Sequence, residues 1–169
     1  MQIDLLVPSD LQHALVAELT EVLKDIHSES AEGDRNTGFA GYEQFLPVLQ
    51  NDDDDPDQFF PYFIVRLDNW KAVDEEDPWT VTVDILLGVH DEGPNNQGHK
   101  ILINAIDRIL YRFTTEATLG IAGYKAFRCL PEITASLQDE DTYPYFFGGI
   151  ELKFLAPKPE RRTPNYGKY

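Results

Sequence analysis

The chain has 169 residues, a mass of 19.3 kDa and a formal net charge of −16. This is the size of one domain, which buries about 70% of its extended-chain surface and needs no covalent cross-link. The single cysteine, Cys129, excludes an intramolecular disulfide and a cysteine-rich zinc site, and it favours a reducing, intracellular origin. Such an acidic surface disfavours sequence-specific binding to DNA and binding to anionic membranes.

No basic segment followed by an apolar run opens the sequence, and no run of about 18 apolar residues occurs in it. A soluble, untargeted protein is therefore expected. The charge is uneven: residues 157–169 carry a net charge of +3, which leaves −19 on residues 1–156. Opposite charges on body and tail favour contact between copies, whereas a solvated, frayed terminus is the alternative.

The first predicted element is an amphipathic helix. Ser9-Asp10-Leu11-Gln12 fits a capping box, in which serine and glutamine side chains satisfy free amides of the first turn. Apolar residues then recur at helical spacing on one stripe, namely Leu11, Ala14, Leu15, Leu19, Val22, Leu23 and Ile26. His13 falls on the polar side of this stripe, where we expect it to be solvated.

Residues 27–58 have no clear periodicity and are predicted to form an irregular acidic loop. Near its end, five of the six residues 52–57 are aspartates. Carboxylates can bind a hard cation, but the alternating positions and central glycine of a calcium loop are missing. A solvated run of charge is the expectation for this segment.

Two strands joined by a long acidic tip come next. Residues 59–67 are predicted to form a strand with two partly covered faces, one with Phe63, Val65 and Leu67 and the other with Tyr62, Ile64 and Arg66. Pro61 lies near its start, where a missing amide matters least. Every second residue from Trp79 to Val89 is apolar, and Thr80, Thr82 and Asp84 lie between them, which predicts a central strand with one buried face. Trp70 lies in the connection, either as an exposed anchor for a partner or folded onto the hairpin.

The second half of the chain starts with a helix. Its apolar stripe is Ile101, Leu102, Ala105, Ile106, Ile109, Leu110 and Phe113. Strands are predicted at residues 124–130, with a continuation at 133–137, and at 150–154, where Gly148 and Gly149 permit a bulge at the entry. The predicted fold class is α+β, with a mixed, mainly antiparallel four-stranded sheet and two helices on one face, in the order α-β-β-α-β-β. Residues 1–156 form a single domain and residues 157–169 a basic tail.

The sequence contains no signature of catalysis. A glycine-rich phosphate loop, a G-x-S-x-G motif and an H-E-x-x-H motif are all absent. His90 and His99 flank Asp91 and Glu92, but their spacing does not demand that they converge on a metal. Cys129 fits a small core residue better than a nucleophile. No catalytic residue, cofactor or metal site is therefore predicted.

Three stretches carry a resemblance to a known family. They are residues 60–66 (FPYFIVR), the end of the central strand with Asp91, Glu92 and Gly98, and residues 139–154 (DEDTYPYFFGGIELKF). In these stretches the chain resembles the tail terminator and minor tail (tail-completion) proteins of long-tailed bacteriophages and prophages.

The resemblance implies a non-catalytic structural protein that forms a ring, typically a hexamer. Such a ring caps the tail tube and joins it to head-completion proteins. It would lie in the virion tail, and in the cytoplasm of the bacterial host during assembly. Its partners would be copies of itself, the tube and the head-completion proteins. The candidate interface residues are Arg66, Trp70, Tyr145, Phe146, Arg161 and Arg162.

Two other functions stay open at this point. An acidic DNA mimic, or another protein-binding module, would present carboxylates at the spacing of phosphates on a rigid face. A small metal-dependent hydrolase would be built around His90, His99 and the nearby acids.

Overall fold

The computed structural model describes residues 8–29, 35–121 and 125–158. Helix α1 is Pro8–Val22 and helix α2 is His99–Thr115. The strands are β1 His27–Glu29, β2 Arg35–Thr37, β3 Ala40–Glu43, β4 Tyr62–Lys71, β5 Trp79–His90, β6 Thr118–Ile121, β7 Lys125–Cys129, β8 Thr134–Leu137 and β9 Tyr145–Ala156. A short 3-10 turn, Pro56–Phe59, precedes β4.

Strand β5 lies at the centre of the main sheet, as its alternating sequence predicts. It pairs antiparallel with β4 on one side and, along its whole length from Trp79 to His90, with β9 on the other. The strand order is β3-β4-β5-β9-β7-β6, and β8 pairs with β9 beside β7. Strands β1 and β2 form a separate antiparallel pair.

Both helices pack on one face of this sheet and form the core with it. From β5 the alternate residues Val81, Val83, Ile85, Leu87 and Val89 are at most 1% exposed. Leu11, Leu15 and Leu19 of α1 and Leu102 and Ile109 of α2 belong to the same buried cluster. Burial of one fully enclosed aliphatic side chain contributes about 1.5–3 kcal/mol, so this cluster is the main source of stability.

One side chain connects both helices to the edge of the sheet. Arg112 of α2 donates Nε to Glu18 Oε1 of α1 at 2.5 Å. Its two terminal nitrogens donate to the backbone oxygens of Glu116 and Thr118, which fixes the turn from α2 into β6. The guanidinium therefore satisfies the carbonyl of Glu116, which caps α2, and the carbonyl of Thr118, which begins β6.

The mixed α+β class and the two helices are confirmed, but the predicted four-stranded sheet is wrong. Within the described residues the main sheet has seven strands. The additional strands are short: β3 pairs parallel to β4 from inside residues 27–58, and β6 pairs with β7. Four residues are too few to show a period, so partners elsewhere in the chain decide whether such a segment becomes a strand.

The backbone irregularity of the sheet also differs from expectation. The register of β9 against β5 is continuous through Gly148 and Gly149, so the permitted bulge does not occur there. A register shift instead interrupts β4 between Leu67 and Asn69. A second pairing partner, β8, holds Gly148 and Gly149 on the other side of β9, and this leaves no freedom for an extra residue.

Candidate interaction surfaces

The sheet face opposite the helices is the first candidate surface, and we call it the outer face. Because side chains alternate along a strand, the residues between the core positions point to this face. On β5 and β9 these residues include Leu86, Phe147, Glu151 and Leu155, which are half-buried or exposed. Neither helix lies on this face, since both contribute to the core on the opposite side.

An aromatic cluster occupies one end of the outer face. The Phe60 ring, in the segment before β4, lies with its centre 5.0 Å from that of Tyr62, 5.2 Å from that of Tyr145 and 6.0 Å from that of Phe147. Tyr62 can lie flat across β5 because its neighbour there is Gly88, where an added Cβ would come within 2.6 Å of the ring. The cluster thus joins the irregular segment before β4 to three central strands.

His90 lies beneath this cluster and is 3% exposed. Its Nε2 is 3.5 Å from Glu92 Oε1 and 3.9 Å from Asp57 Oδ2. The Tyr145 hydroxyl donates to Asp57 Oδ1 at 2.6 Å, and this bond, with burial and nearby carboxylates, raises the pKa of Tyr145. Asp57 therefore tethers the 3-10 turn to the outer face.

Among the described residues, His90, Asp57 and Glu92 are not part of a metal-binding group. In residues 8–29, 35–121 and 125–158 no group of three or more histidine, cysteine, aspartate or glutamate side chains has the geometry to hold a metal ion. His99 has a different environment from His90, because it lines a cavity at the start of α2. The structure describes no contact that brings the two histidines together.

A charged cluster lies farther along the outer face. Arg66 of β4 is opposite Asp84 of β5, which is opposite Glu151 of β9. Burial raises the pKa of Asp84, as do the carboxylates of Asp68 and Glu151, while Arg66 opposes this shift. The Nε of Arg66 is buried and has no hydrogen-bond partner in the described residues, and its guanidinium lies 5.5 Å from the centre of the exposed Phe45 ring.

The second candidate surface is a cavity of about 350 Å³ between the start of α2 and the β8–β9 connection, which we call the α2 cavity. Its apolar lining comes from Leu102, Leu137, Phe146 and Phe147, and Asp139, Glu140 and Asp141 contribute carboxylates. Gly98 is essential to its shape, since a Cβ there would lie 2.4 Å from the Phe146 ring. Asn96 Nδ2 lies 3.3 Å from both carboxylate oxygens of Asp141 and holds this side chain in place.

The described chain ends at the opposite end of β9. Lys158 donates Nζ to the backbone oxygen of Asp74 at 2.7 Å and lies 5.7 Å from the centre of the Trp79 ring. Residues 74–77 form the acidic tip between β4 and β5 and are exposed. The described part of the basic tail, residues 157–158, therefore lies beside this tip.

The six candidate interface residues are dispersed over the molecule. Arg66 and Tyr145 share the outer face, whereas Phe146 points to the helix side, against Gly98. Trp70 is 50% exposed near the end of β4, beside Val81 and away from the aromatic cluster. Arg161 and Arg162 lie outside the described residues.

Sequence reasoning missed the cluster of Asp57, Phe60 and His90. Asp57 is the last carboxylate of the run at 52–57, for which the sequence predicts a solvated stretch. A signal was present: the strict alternation of β5 places His90 on the side opposite Val89, which is where the residues before β4 must return to the sheet. Cys129 is buried in the core, and its burial raises its pKa to about 11, so the thiol stays protonated at neutral pH.

No family model matches the chain, and no curated protein is significantly similar to it. No helix in the described parts of the chain has the length and apolar content to cross a membrane.

Proposed function

We propose that the protein is a structural component of a bacteriophage or prophage tail. In this function it forms a ring on the end of the tail tube, stops tube growth and joins the tube to head-completion proteins. It acts by binding and catalyses no reaction. It would be found in the virion tail and, during assembly, in the host cytoplasm.

The part of the outer face that stays accessible is the observation that carries this proposal: Leu86, Phe147 and Leu155 are half-buried there, and neither helix covers them. Apolar side chains that remain accessible on a sheet face favour a binding partner, because their area is otherwise in contact with water. Here the face combines aromatic and aliphatic side chains with the Arg66 and Asp84 cluster. Such a mixture is typical of protein interfaces, which place aromatic residues and arginine at the centre.

The charge of the molecule supports a tail component in particular. Exposed carboxylates repel the phosphate backbone, so DNA can slide through an acidic ring without adsorbing to its wall. A body of charge −19 with a tail of charge +3 also favours contacts between unlike surfaces of two copies. Contacts of this heterologous type generate rings when the rotation between copies closes.

Light scattering coupled to size exclusion tests the proposal, over a range of protein and salt concentrations. We expect a defined oligomer, or a monomer–oligomer equilibrium that depends on salt, and rings in electron micrographs. A monomer that is indifferent to concentration and salt contradicts the proposal.

A pair of matched variants tests the outer face itself. Leu86 is half-buried on the outer face, while Ile103 is 40% exposed on α2. We expect Leu86→Lys to weaken assembly and Ile103→Lys to leave it unchanged. The reverse result would assign the contact to the helix side.

A further inference from the structure

The α2 cavity has the chemistry of a site for an arginine or lysine side chain. Its apolar lining, from Leu102, Leu137 and Phe146, can cover the methylene stem of such a side chain. Asp139 and Glu140 are exposed at its rim, where they can pair with the charged end. The start of α2 contributes roughly half a positive charge at this place, which three carboxylates outweigh.

A basic segment of suitable length follows the described chain. Residues 159–169 (PERRTPNYGKY) contain Arg161, Arg162 and Lys168 against one glutamate. The segment follows directly after Lys158, which donates to the backbone oxygen of Asp74 beside the acidic tip.

The tail arginines cannot reach the α2 cavity of their own molecule. Phe146 lines the cavity and is separated from Ala156 by ten residues of β9, about 33 Å at the rise of a strand. Arg162 follows Lys158 by four residues, and a fully extended chain of that length spans about 14 Å. The arginines of one copy can meet the cavity of another copy only if the tail end of the first sheet faces the cavity end of the second sheet.

The acidic tip at residues 74–77 is within reach of the same arginines and is the competing site. Its carboxylates are exposed and lie in a turn. Exposed ion pairs contribute little because water and salt screen them, whereas the cavity adds apolar contact to the charge pairing.

We propose that the basic tail of one copy binds in the α2 cavity of the next copy, with Arg161 or Arg162 between the apolar lining and the carboxylates of Asp139 and Glu140. The contact joins different surfaces of two copies, and it is heterologous when each copy gives its tail to one neighbour and receives the tail of another. It rests on the proposed function, since it supplies the head-to-tail contact of the ring.

Charge reversal on each side of this contact tests it in the full-length protein. Arg161→Glu/Arg162→Glu reverses the tail, and Asp139→Lys/Glu140→Lys reverses the cavity. Each variant alone is expected to lose assembly, because its tail and cavity then carry the same sign. In an equimolar mixture the tail of each variant has the opposite charge to the cavity of the other variant. We therefore expect the two variants to alternate in an assembly of wild-type mass that contains both in equal amounts.

The matched control is Glu75→Lys/Glu76→Lys, which makes the same charge change at the acidic tip. We expect this control to assemble as the wild type does. Loss of assembly in the control, together with normal assembly of the cavity variant, would overturn the inference in favour of the tip. Wild-type assembly that neither reversal affects would also overturn it and leave the proposed function standing. A wild-type protein that never assembles would contradict the proposed function itself.

A binding measurement separates the contact from ring formation. The probe is a fluorescent peptide of residues 157–169, titrated with full-length protein and followed by anisotropy. The cavity variant is expected to bind it at least about tenfold more weakly than wild type, while the tip variant stays within about twofold. Equal binding by wild type and the cavity variant would overturn the inference, even if the proteins assemble.

Discussion

Replacement of Gly98 by alanine tests the packing that shapes the α2 cavity. An added Cβ would lie 2.4 and 2.5 Å from two atoms of the Phe146 ring and 2.9 Å from Asp91 Cβ. Gly98 has φ −61°, a value that alanine adopts freely, so relief of glycine's backbone entropy alone would stabilise the protein by about 0.4–1 kcal/mol. Overpacking in a buried position costs about 1–3 kcal/mol, and the larger steric term decides the sign.

We therefore expect Gly98→Ala to lower the free energy of unfolding by about 1–2 kcal/mol in urea titrations. For a domain of this size the melting temperature should fall by about 2–8 °C. The control is Gly149→Ala, whose Cβ would meet its nearest atom, Ile85 O, at 3.4 Å, and which should change stability by less than about 0.5 kcal/mol.

A double-mutant cycle with Phe146→Leu isolates the contact. The smaller side chain removes the ring atoms that obstruct the Cβ, so the cost of Gly98→Ala should become smaller in the Phe146→Leu background. Stabilisation by Gly98→Ala, or an equal cost in both backgrounds, would refute this account of the packing.

Three further predictions concern single side chains. Burial and like charges raise the pKa of Asp84 in the folded state, so stability is lost as the pH rises through that pKa. Asp84→Asn should therefore raise the melting temperature at pH 7 and lose this advantage at acidic pH. A lower melting temperature of the variant at pH 7 would contradict this expectation. Cys129 is buried and has a pKa of about 11, so it should react with iodoacetamide at pH 8 only after denaturant is added. Labelling of the native protein, detected by mass spectrometry, would contradict this prediction. Arg112→Met should lower the free energy of unfolding by about 2 kcal/mol in urea titrations, because it leaves the Glu18 carboxylate and two carbonyls without their donor. The control Arg108→Met should lower it by less. An equal decrease in both variants would contradict this role of Arg112.

Long periodic segments were predictable from the sequence because their burial repeats along the chain. The apolar stripes at residues 11–26 and 101–113 correspond to α1 and α2, and the alternation at 79–89 corresponds to β5. The ends differ: α1 ends at Val22, although Leu23 and Ile26 continue its apolar stripe and are buried. Burial of a side chain depends on the core, and it does not require a helical backbone.

Short strands were not predictable in this way. Ala40–Glu43 contains a glycine and two polar residues, and it forms β3 because Gly41 leaves room for the Phe63 ring while its backbone pairs with β4. The outer-face cluster likewise depends on contacts across the chain, such as the bond between Tyr145 and Asp57. Local sequence contains no information on which distant residue will occupy a neighbouring position.

The order of residues along the chain already predicts the apolar core, the two helices, the central strand and the opposite charges of body and tail. The helices and the central strand follow from the period at which apolar side chains recur, because these side chains avoid water. The charges of body and tail are sums over charged residues and do not depend on the fold. Contacts between distant segments set the number of strands, the exposure of the outer face and the position of the α2 cavity, about 33 Å of strand away from the start of the tail. These depend on which segments pair, and pairing is settled by the packing of the whole chain.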